Sequence, residues 1–384
     1  MIGFELTDEQ KRWKQKAYAL REEIRSVGWK IDHTQNVHAR STEGMIRSLG
    51  REGIMCMRIP KLYGGEGLDV LTCVIVLEEL AVADAGIAFT ACANINPFLD
   101  AADETFKKEY WTQCSDRENP RLLGFCLTEP GAGSDAASLR TTAKFERDRW
   151  RLNGTKCFAT NGGHCVLYTV FASTDPSKKG KGISAFLVPG NSVGLSVGKL
   201  EDKMGLRSSH TAELFLDNVE VPKQNIVGKE GEGLKLALQM VGAGRLYFGG
   251  ALGVGIARAA FESTQSFCQD RLSNNPGLND QAISFKLADM ATMVEAARLV
   301  LWKAAWLIDN NKSYKTESVM AKIFPSEIAL NVASKACDII GFESYSEKYR
   351  TEKYLRDAKV LSIGAGTNEI NRMVLTSGLL ASSG

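Results

Sequence analysis

The order of periodicities along this chain predicts a multi-domain α+β protein. An N-terminal helical domain is expected over residues 1–120, a small central β-sandwich or barrel over 121–230, and a C-terminal antiparallel four-helix bundle over 231–384. Three observations carry that prediction. Helix caps and apolar helical runs fill the first part, alternation with turn residues begins near Thr141, and long glycine-laced helical stretches follow Gly231. A length of 384 residues also favours more than one domain.

In chain order, Thr7-Asp8-Glu9-Gln10 is a capping-box pattern that opens a helix running to about Arg25. A second helix is expected from Thr42 to Glu52, stopping at Gly53, and Ile59-Pro60 with Tyr63-Gly64-Gly65 marks an extended turn. Leu71 to Ala83 reads as a strongly apolar helix carrying Glu78 and Glu79. Adjacent helix positions point apart, so this pair reads as solvent contacts or caps in preference to an acid/base pair. Gly86 to Phe98 reads as a packed helix, with a pocket wall presenting Thr90 or Cys92 as the sharper alternative.

Phe125 to Arg140 carries Gly131, Gly133, Ser134 and Asp135. Such a stretch is either an anion-binding nest or simply a tight turn. The following residues read as strands, which excludes a dinucleotide-binding fingerprint. Asn153-Gly154 beside alternating residues signals a hairpin. Lys156–Asn161, Val166–Ala172, Ile183–Pro189 and Ala212–Val221 supply further short strands. Arg207 with Ser208 and Ser209 forms either a phosphate cradle or a surface loop. Beyond Gly231, the glycines at 242, 244, 249, 250, 253 and 255 each cost roughly 1 kcal/mol relative to Ala inside a helix. Their number points to close helix packing or to close approach of a ligand. Ala282–Asp309, Glu317–Ile340 (with Pro325 inside) and Asn368–Leu380 complete the bundle.

Composition narrows the function classes. A net charge of +2 gives no footprint for nucleic acid or an anionic membrane, and no apolar run approaches the ~20 residues of a span. The N-terminus lacks a signal-peptide core. Nine cysteines without a Cys-x-x-Cys pair read as reduced thiols of a cytoplasmic protein. His33, His38, His164 and His210 are scattered, so no metal is expected.

Several motifs, in order, make the chain similar to the acyl-CoA dehydrogenase family over essentially its whole length. They are Leu127-Thr128-Glu129-Pro130-Gly131-Ala132-Gly133-Ser134-Asp135, Thr160-Asn161-Gly162-Gly163, Lys203-Met204-Gly205 and Asp217-Asn218-Val219-Glu220-Val221-Pro222. Arg356-Asp357-Ala358-Lys359 and Gly366-Thr367-Asn368-Glu369-Ile370 complete the series. The resemblance implies FAD as cofactor and an acyl-CoA thioester as substrate. It also implies an electron-transfer flavoprotein or other acceptor as partner, and a homotetramer. Phe125, Leu127, Thr128, Gly133, Ser134, Phe158 (where Trp is usual), Thr160 and Thr367 match flavin-site positions. Arg271 matches an arginine that reaches a neighbouring subunit's FAD. Ser134, Ser209 and Arg245 match positions that meet the substrate.

In the family, a Glu removes the α-proton of the thioester while a hydride leaves for the flavin. The usual Glu seat is Ala365 here and the alternative seat is Gly244, so both are empty, and Glu369 matches a non-catalytic position. Two interface motifs also depart from the pattern, at Arg271-Leu272-Ser273-Asn274-Asn275 and at Asp338-Ile339-Ile340-Gly341-Phe342. The resemblance thus implies an FAD-dependent oxidoreductase with a non-standard base. Its acyl group is then cyclic, bulky or unsaturated, and a 1,4-type elimination is open to it. A lyase or desulfinase-like flavoprotein and an enoyl-CoA reductase are the alternatives, ahead of a non-catalytic acyl-CoA-binding subunit.

Overall fold

A computed structural model describes residues 5–95, 102–274, 281–346 and 348–381. The capping box forms as written: Gln10 N donates to Thr7 Oγ1 at 3.2 Å and Thr7 N to Gln10 Oε1 at 3.0 Å. The helix it opens is shorter than expected. α1 (Asp8–Ala19) stops at Leu20, and α2 (Arg21–Asp32) starts afresh. The break sets buried Arg21 against Glu79.

α3 (Glu43–Arg51), α4 (Val70–Ala83) and α5 (Ala85–Ala93) follow. Asp69 caps α4 through Thr72 N at 2.7 Å, and Asp84 caps α5 through Ile87 N at 2.9 Å. Asn96 and Phe98, the far end of the expected Gly86–Phe98 helix, lie outside the described residues.

Glu78 and Glu79 correct the sequence reading. Both are buried, at 3% and 1% exposure, and neither caps a helix or meets solvent. Arg258 Nη1 lies 3.1 Å from Glu78 and 2.7 Å from Glu79, and Arg298 Nη2 lies 2.9 Å from Glu78. Neighbouring positions do diverge, but α4 is enclosed on several sides, so each carboxylate meets a cation from another helix. Burial opposes ionisation of Glu78, yet the two guanidinium groups hold it below the ordinary carboxylate range.

The β region is one eight-stranded sheet: β1 (Leu122–Cys126), β2 (Thr142–Glu146), β3 (Arg149–Thr160), β4 (Cys165–Ser173), β5 (Ile183–Pro189), β6 (Leu195–Leu200), β7 (Thr211–Pro222) and β8 (Ile226–Val227). The order is β6-β7-β3-β2-β4-β5-β8, with β1 alongside β4. The β1–β4 pair is parallel, with Phe125 opposite Thr169.

Asn153-Gly154 is not a turn. The β2–β3 hairpin closes at Arg147-Asp148, both with positive φ (50° and 64°), as a two-residue primed turn requires. Gly154 sits instead within β3 at a register shift, where a Cβ would stand 2.7 Å from Thr141 Cα.

In the C-terminal part, α6 (Gly233–Arg245) passes through a π-turn (Leu246–Ala251) into α7 (Leu252–Asn274). α8 (Gln281–Asp309), α9 (Lys315–Ile340), α10 (Thr351–Lys359) and α11 (Asn368–Ala381) complete the bundle. α9 is central and packs on α7, α8, α10 and α11.

The glycines divide into two sets. A Cβ on Gly253 would meet Pro325 O at 2.8 Å, and one on Gly255 would meet Ala81 Cβ at 2.5 Å, so these two let α9 and α4 approach α7. Gly242 and Gly244 have nothing within 4 Å at the same point. The continuous helix Gly233–Ser273 is long and apolar enough to span a membrane, contrary to the sequence expectation. Its most apolar window is 72% buried, which is the signature of a core helix.

Candidate active site

Residues 127–135 are shaped by one buried carboxylate. Glu129 accepts from Arg140 N at 2.6 Å and Thr141 N at 3.0 Å, and Lys156 Nζ donates to it at 2.6 Å. Glu129 and Ala132 exchange backbone hydrogen bonds at 3.1 Å, and Cys157 N donates to Thr128 O at 2.9 Å. The start of the loop is therefore tied to β3, and the chain beyond it is tied back to Glu129. Burial opposes the charge on Glu129, but Lys156 and the backbone donors hold it below the usual carboxylate range. A Cβ on Gly131 or Gly133 would meet nothing within 4 Å, and Ser134 is exposed beside them.

The adjoining end of β3 holds Phe158 with φ at 54° and 60% exposure. A bulky residue in the left-handed region is strained, and a bulge between Lys156 and Ala159 makes the excursion possible. The result is an aromatic ring standing in solvent next to the 127–135 loop. Phe125 packs edge-on against Phe171 with centroids 5.2 Å apart, while Leu127, Thr128 and Thr160 are half-buried.

The two seats for a carboxylate lie on adjoining segments. A Cβ on Gly364 would stand 2.6 Å from the Phe248 ring, which belongs to the π-turn directly after Gly244-Arg245. Phe248 in turn packs on Phe89 of α5, with centroids 4.7 Å apart. Phe89 is thus the α5 residue on this wall. Thr90 and Cys92 are buried, and the Thr90 hydroxyl donates to Gly86 O at 3.2 Å. Ala365 adopts φ 54°. Thr367 Oγ1 accepts from Ile370 N at 3.2 Å as α11 begins. Behind it, fully buried Lys322 donates to Asn368 Oδ1 at 2.6 Å, and burial lowers its ammonium to about 8.

Lys203-Met204-Gly205 meets Arg356-Asp357 across the fold. Leu206 N donates to Asp357 Oδ1 at 2.6 Å, and Arg356 bonds Met204 O at 2.9 Å and Asp32 Oδ2 at 2.6 Å. Gly205 is required there, because a Cβ would run into Arg356 O. Arg207 is occupied by Asp202 at 3.3 Å and Asp32 at 3.9 Å, so it does not form the phosphate cradle that its sequence neighbours suggest. Ser208 donates to Asp84, and Ser209 is buried with its hydroxyl unpartnered among the described residues. His164 and His210, far apart in sequence, have ring centroids 4.4 Å apart. Among the described residues no group of three or more His, Cys, Asp or Glu is arranged to hold a metal.

Three family profiles match the chain end to end: the acyl-CoA dehydrogenase N-terminal domain at residues 7–118, the middle domain at 124–219 and the C-terminal domain at 231–380. The chain belongs to the acyl-CoA dehydrogenase family. It is 41% identical over 88% of its length to an acyl-CoA dehydrogenase of Bacillus subtilis, covering 89% of that protein. The solved butyryl-CoA dehydrogenase of Megasphaera elsdenii superposes with a TM-score of 0.92 at 36% identity, covering 99% of this chain and 100% of the other. A chain from the structural study of the electron transferring flavoprotein of Acidaminococcus fermentans gives 0.91 at 36% identity, with coverage of 99% and 100%.

Of the residues that the acyl-CoA dehydrogenase motifs single out, the structure joins the 125–134 set to Phe158 and Thr160. It also brings the Ala365 segment onto the helix of Gly244 and Arg245. Arg271 stands apart, in the exposed last turn of α7 over the Phe267 ring at 5.7 Å. Asn275 of the departing interface motif lies outside the described residues, and Phe342 of the other is 91% exposed. A cleft of about 700 Å³ lined by Arg47, Tyr110, Arg121, His164 and Asn191 contains none of the motif-matched site residues. Sequence reasoning missed Lys156, Lys322, Phe89 and Phe248, which touch the site segments from behind. Lys156, in strand alternation, and Lys322, in a helical run, gave the only signal, as charges at core positions.

Proposed function

We propose that this protein is an FAD-dependent oxidoreductase of an acyl-CoA thioester whose base sits at neither usual seat. One observation carries the reading. Ala365 ends at a methyl group, and Gly244 has open space where a side chain would begin. No carboxylate stands at either position, and the vacated room suits a cyclic, bulky or unsaturated acyl group. With an unsaturated thioester, the proton to be removed lies at the γ or a more distant carbon, which places the base away from Cα.

The residues fit a flavin. Gly131 and Gly133 leave a bare cradle on a loop tied down by Glu129, and Phe158 on the adjoining end of β3 offers an exposed ring. Phe125, Leu127, Thr128, Gly133, Ser134, Phe158, Thr160 and Thr367 would hold the cofactor, and Arg271 that of a neighbouring subunit. When bound, FAD supplies the hydride acceptor. The hydroxyls of Thr128, Ser134 and Thr160 contribute neutral donors that orient a ring or carbonyl without adding charge. Ser209 and Arg245 serve the thioester. Exposed Phe285, Leu299, Met320, Phe324, Met373 and Leu380 on the bundle support a homotetramer. The relative studied with an electron transferring flavoprotein supports such a protein as acceptor.

The test is the visible absorbance of the purified protein under anaerobic titration with saturated, cyclic and unsaturated acyl-CoAs. Bleaching by the cyclic or unsaturated class alone is the expected result. Bleaching by butyryl-CoA as fast as by any other thioester would sink the reading. Product formed with no electron acceptor present would favour group elimination, which the empty carboxylate seats equally permit.

A further inference from the structure

Lys322 of α9 is a fully buried cation that joins three elements behind the candidate site. Its stem crosses the π-turn, where a Cβ on Gly249 would stand 2.5 Å from Lys322 Cγ. Its ammonium donates to Asn368 Oδ1 at 2.6 Å. The other end of that amide is held as well, since Asn368 Nδ2 donates to Glu327 Oε1 at 3.1 Å. Asn368 is itself buried, so its side chain is fixed from both sides. A buried ammonium is costly to desolvate, and an apolar side chain would fill the same place without that cost. The charge therefore calls for a use.

That use lies one residue away. Asn368 opens α11, and Thr367 caps the helix by accepting from Ile370 N at 3.2 Å. Ala365 and Gly366 lead into this cap with φ of 54° and 79°, and Asn371 Nδ2 donates to Gly366 O at 2.8 Å and to Thr367 O at 2.9 Å. The turn is thus held from inside the bundle, while Thr367 stays half-buried. The unpaired N–H groups at the start of a helix give that end a partial positive charge, which favours an anion. Lys322 places a full positive charge behind the same end, out of water, where salt screens it weakly. Charged groups on three helices act on it. Burial and then Arg245 of α6 lower its ammonium to about 8, Glu369 and Glu327 raise it, and Arg372 adds to the lowering. At neutral pH it is largely protonated.

We infer that Lys322 is a positioning residue for the cofactor: it fixes Asn368 and, together with the start of α11, makes the Thr367 turn positive enough to hold the FAD pyrophosphate. It acts through Asn368 and through its charge. The inference rests on the FAD reading proposed above and adds to it the residue that sets the strength of the grip.

The test is the rate at which the purified holoprotein releases FAD on dilution, followed by the return of flavin fluorescence. Lys322→Met keeps the length of the stem, removes the charge and should release FAD about 10- to 100-fold faster. Lys322→Arg keeps the charge and should stay within about 3-fold of the wild type. From about pH 7 to about pH 9 the wild type should release FAD progressively faster, as the ammonium gives up its proton. Lys322→Arg, which stays charged, should show no such rise. A Met variant that holds FAD as long as the wild type overturns the inference. So does equal acceleration in both variants, the mark of a packing role, or the same pH dependence in the wild type and Lys322→Arg. That pH comparison decides the matter where Lys322→Met does not fold. Wild-type protein that carries no FAD, and takes up none, overturns the FAD reading and this inference with it.

Discussion

Lys156 Nζ lies 2.6 Å from Glu129 Oε1, and the two side chains are 0% and 5% exposed. Strand β3 and the glycine loop of the candidate site are thereby joined by one desolvated ion pair. Glu129 also holds the N–H groups of Arg140 and Thr141, so the carboxylate closes the loop on itself. Breaking such a pair from one side leaves a buried charge uncompensated. Lys156→Met is expected to cost about 3–5 kcal/mol in urea unfolding and to lower flavin occupancy. The double variant Lys156→Met/Glu129→Gln should recover part of the loss, and a fully additive double variant would refute the coupling.

The two sets of glycines predict stability changes of opposite sign. Gly255→Ala forces a methyl against Ala81 Cβ, 2.5 Å from the ideal Cβ, and should destabilise by about 1–3 kcal/mol. Gly244→Ala adds a methyl to an open site within a helix and should stabilise by up to about 1 kcal/mol. Chemical denaturation of the pair decides it. Equal losses in both would mean that the space beside Gly244 is filled.

The fold was legible where local rules act alone. Thr7 and Gln10 form their box, and the apolar run of α4 is a helix within one residue of its expected start. Legibility failed where tertiary contact overrides a local signal. Asn153-Gly154 looks like a turn, yet the crowding of Thr141 makes Gly154 a bulge, and the turn falls on two residues with no glycine. β1 was hidden because its apolar lead-in pairs with a strand some forty residues later in parallel fashion, a partnership with no local period. At the site, the flavin-loop motif was plain in sequence, but its anchor was not. Lys156 carries no mark of burial beyond being a charge in an alternating strand.

His210 predicts an acid limit. Burial, then His164 and Lys203, lower its imidazole to about 4 from an ordinary value of 6.5. Above pH 6.5 it is neutral in both folded and unfolded chains, and no penalty arises. As pH falls toward 4, the unfolded chain takes up a proton that the folded chain refuses, so stability declines across that window. Allowing for partial exposure, the loss is about 1–2 kcal/mol. Unfolding midpoints at pH 7.5 and pH 5 should lie closer together in His210→Gln than in the wild type. An unchanged gap would assign the acid sensitivity elsewhere.

Ala365 offers the most direct test of the missing base. Its φ of 54° is a conformation that already penalises any residue with a Cβ, by about 1–2 kcal/mol. Ala365→Gly should therefore stabilise the ligand-free protein by about that much, while Ala365→Glu should change it little, since the backbone cost is present in both. The added carboxylate would stand on the segment that packs, through Gly364, onto Phe248 of the Arg245 helix. Ala365→Glu is expected to gain α-proton abstraction from a plain saturated thioester, at a rate about 10²–10⁴-fold above the wild type. Rapid anaerobic bleaching by butyryl-CoA measures the effect. A variant that folds, binds flavin and shows no such gain would place this seat too far from the reacting carbons to matter.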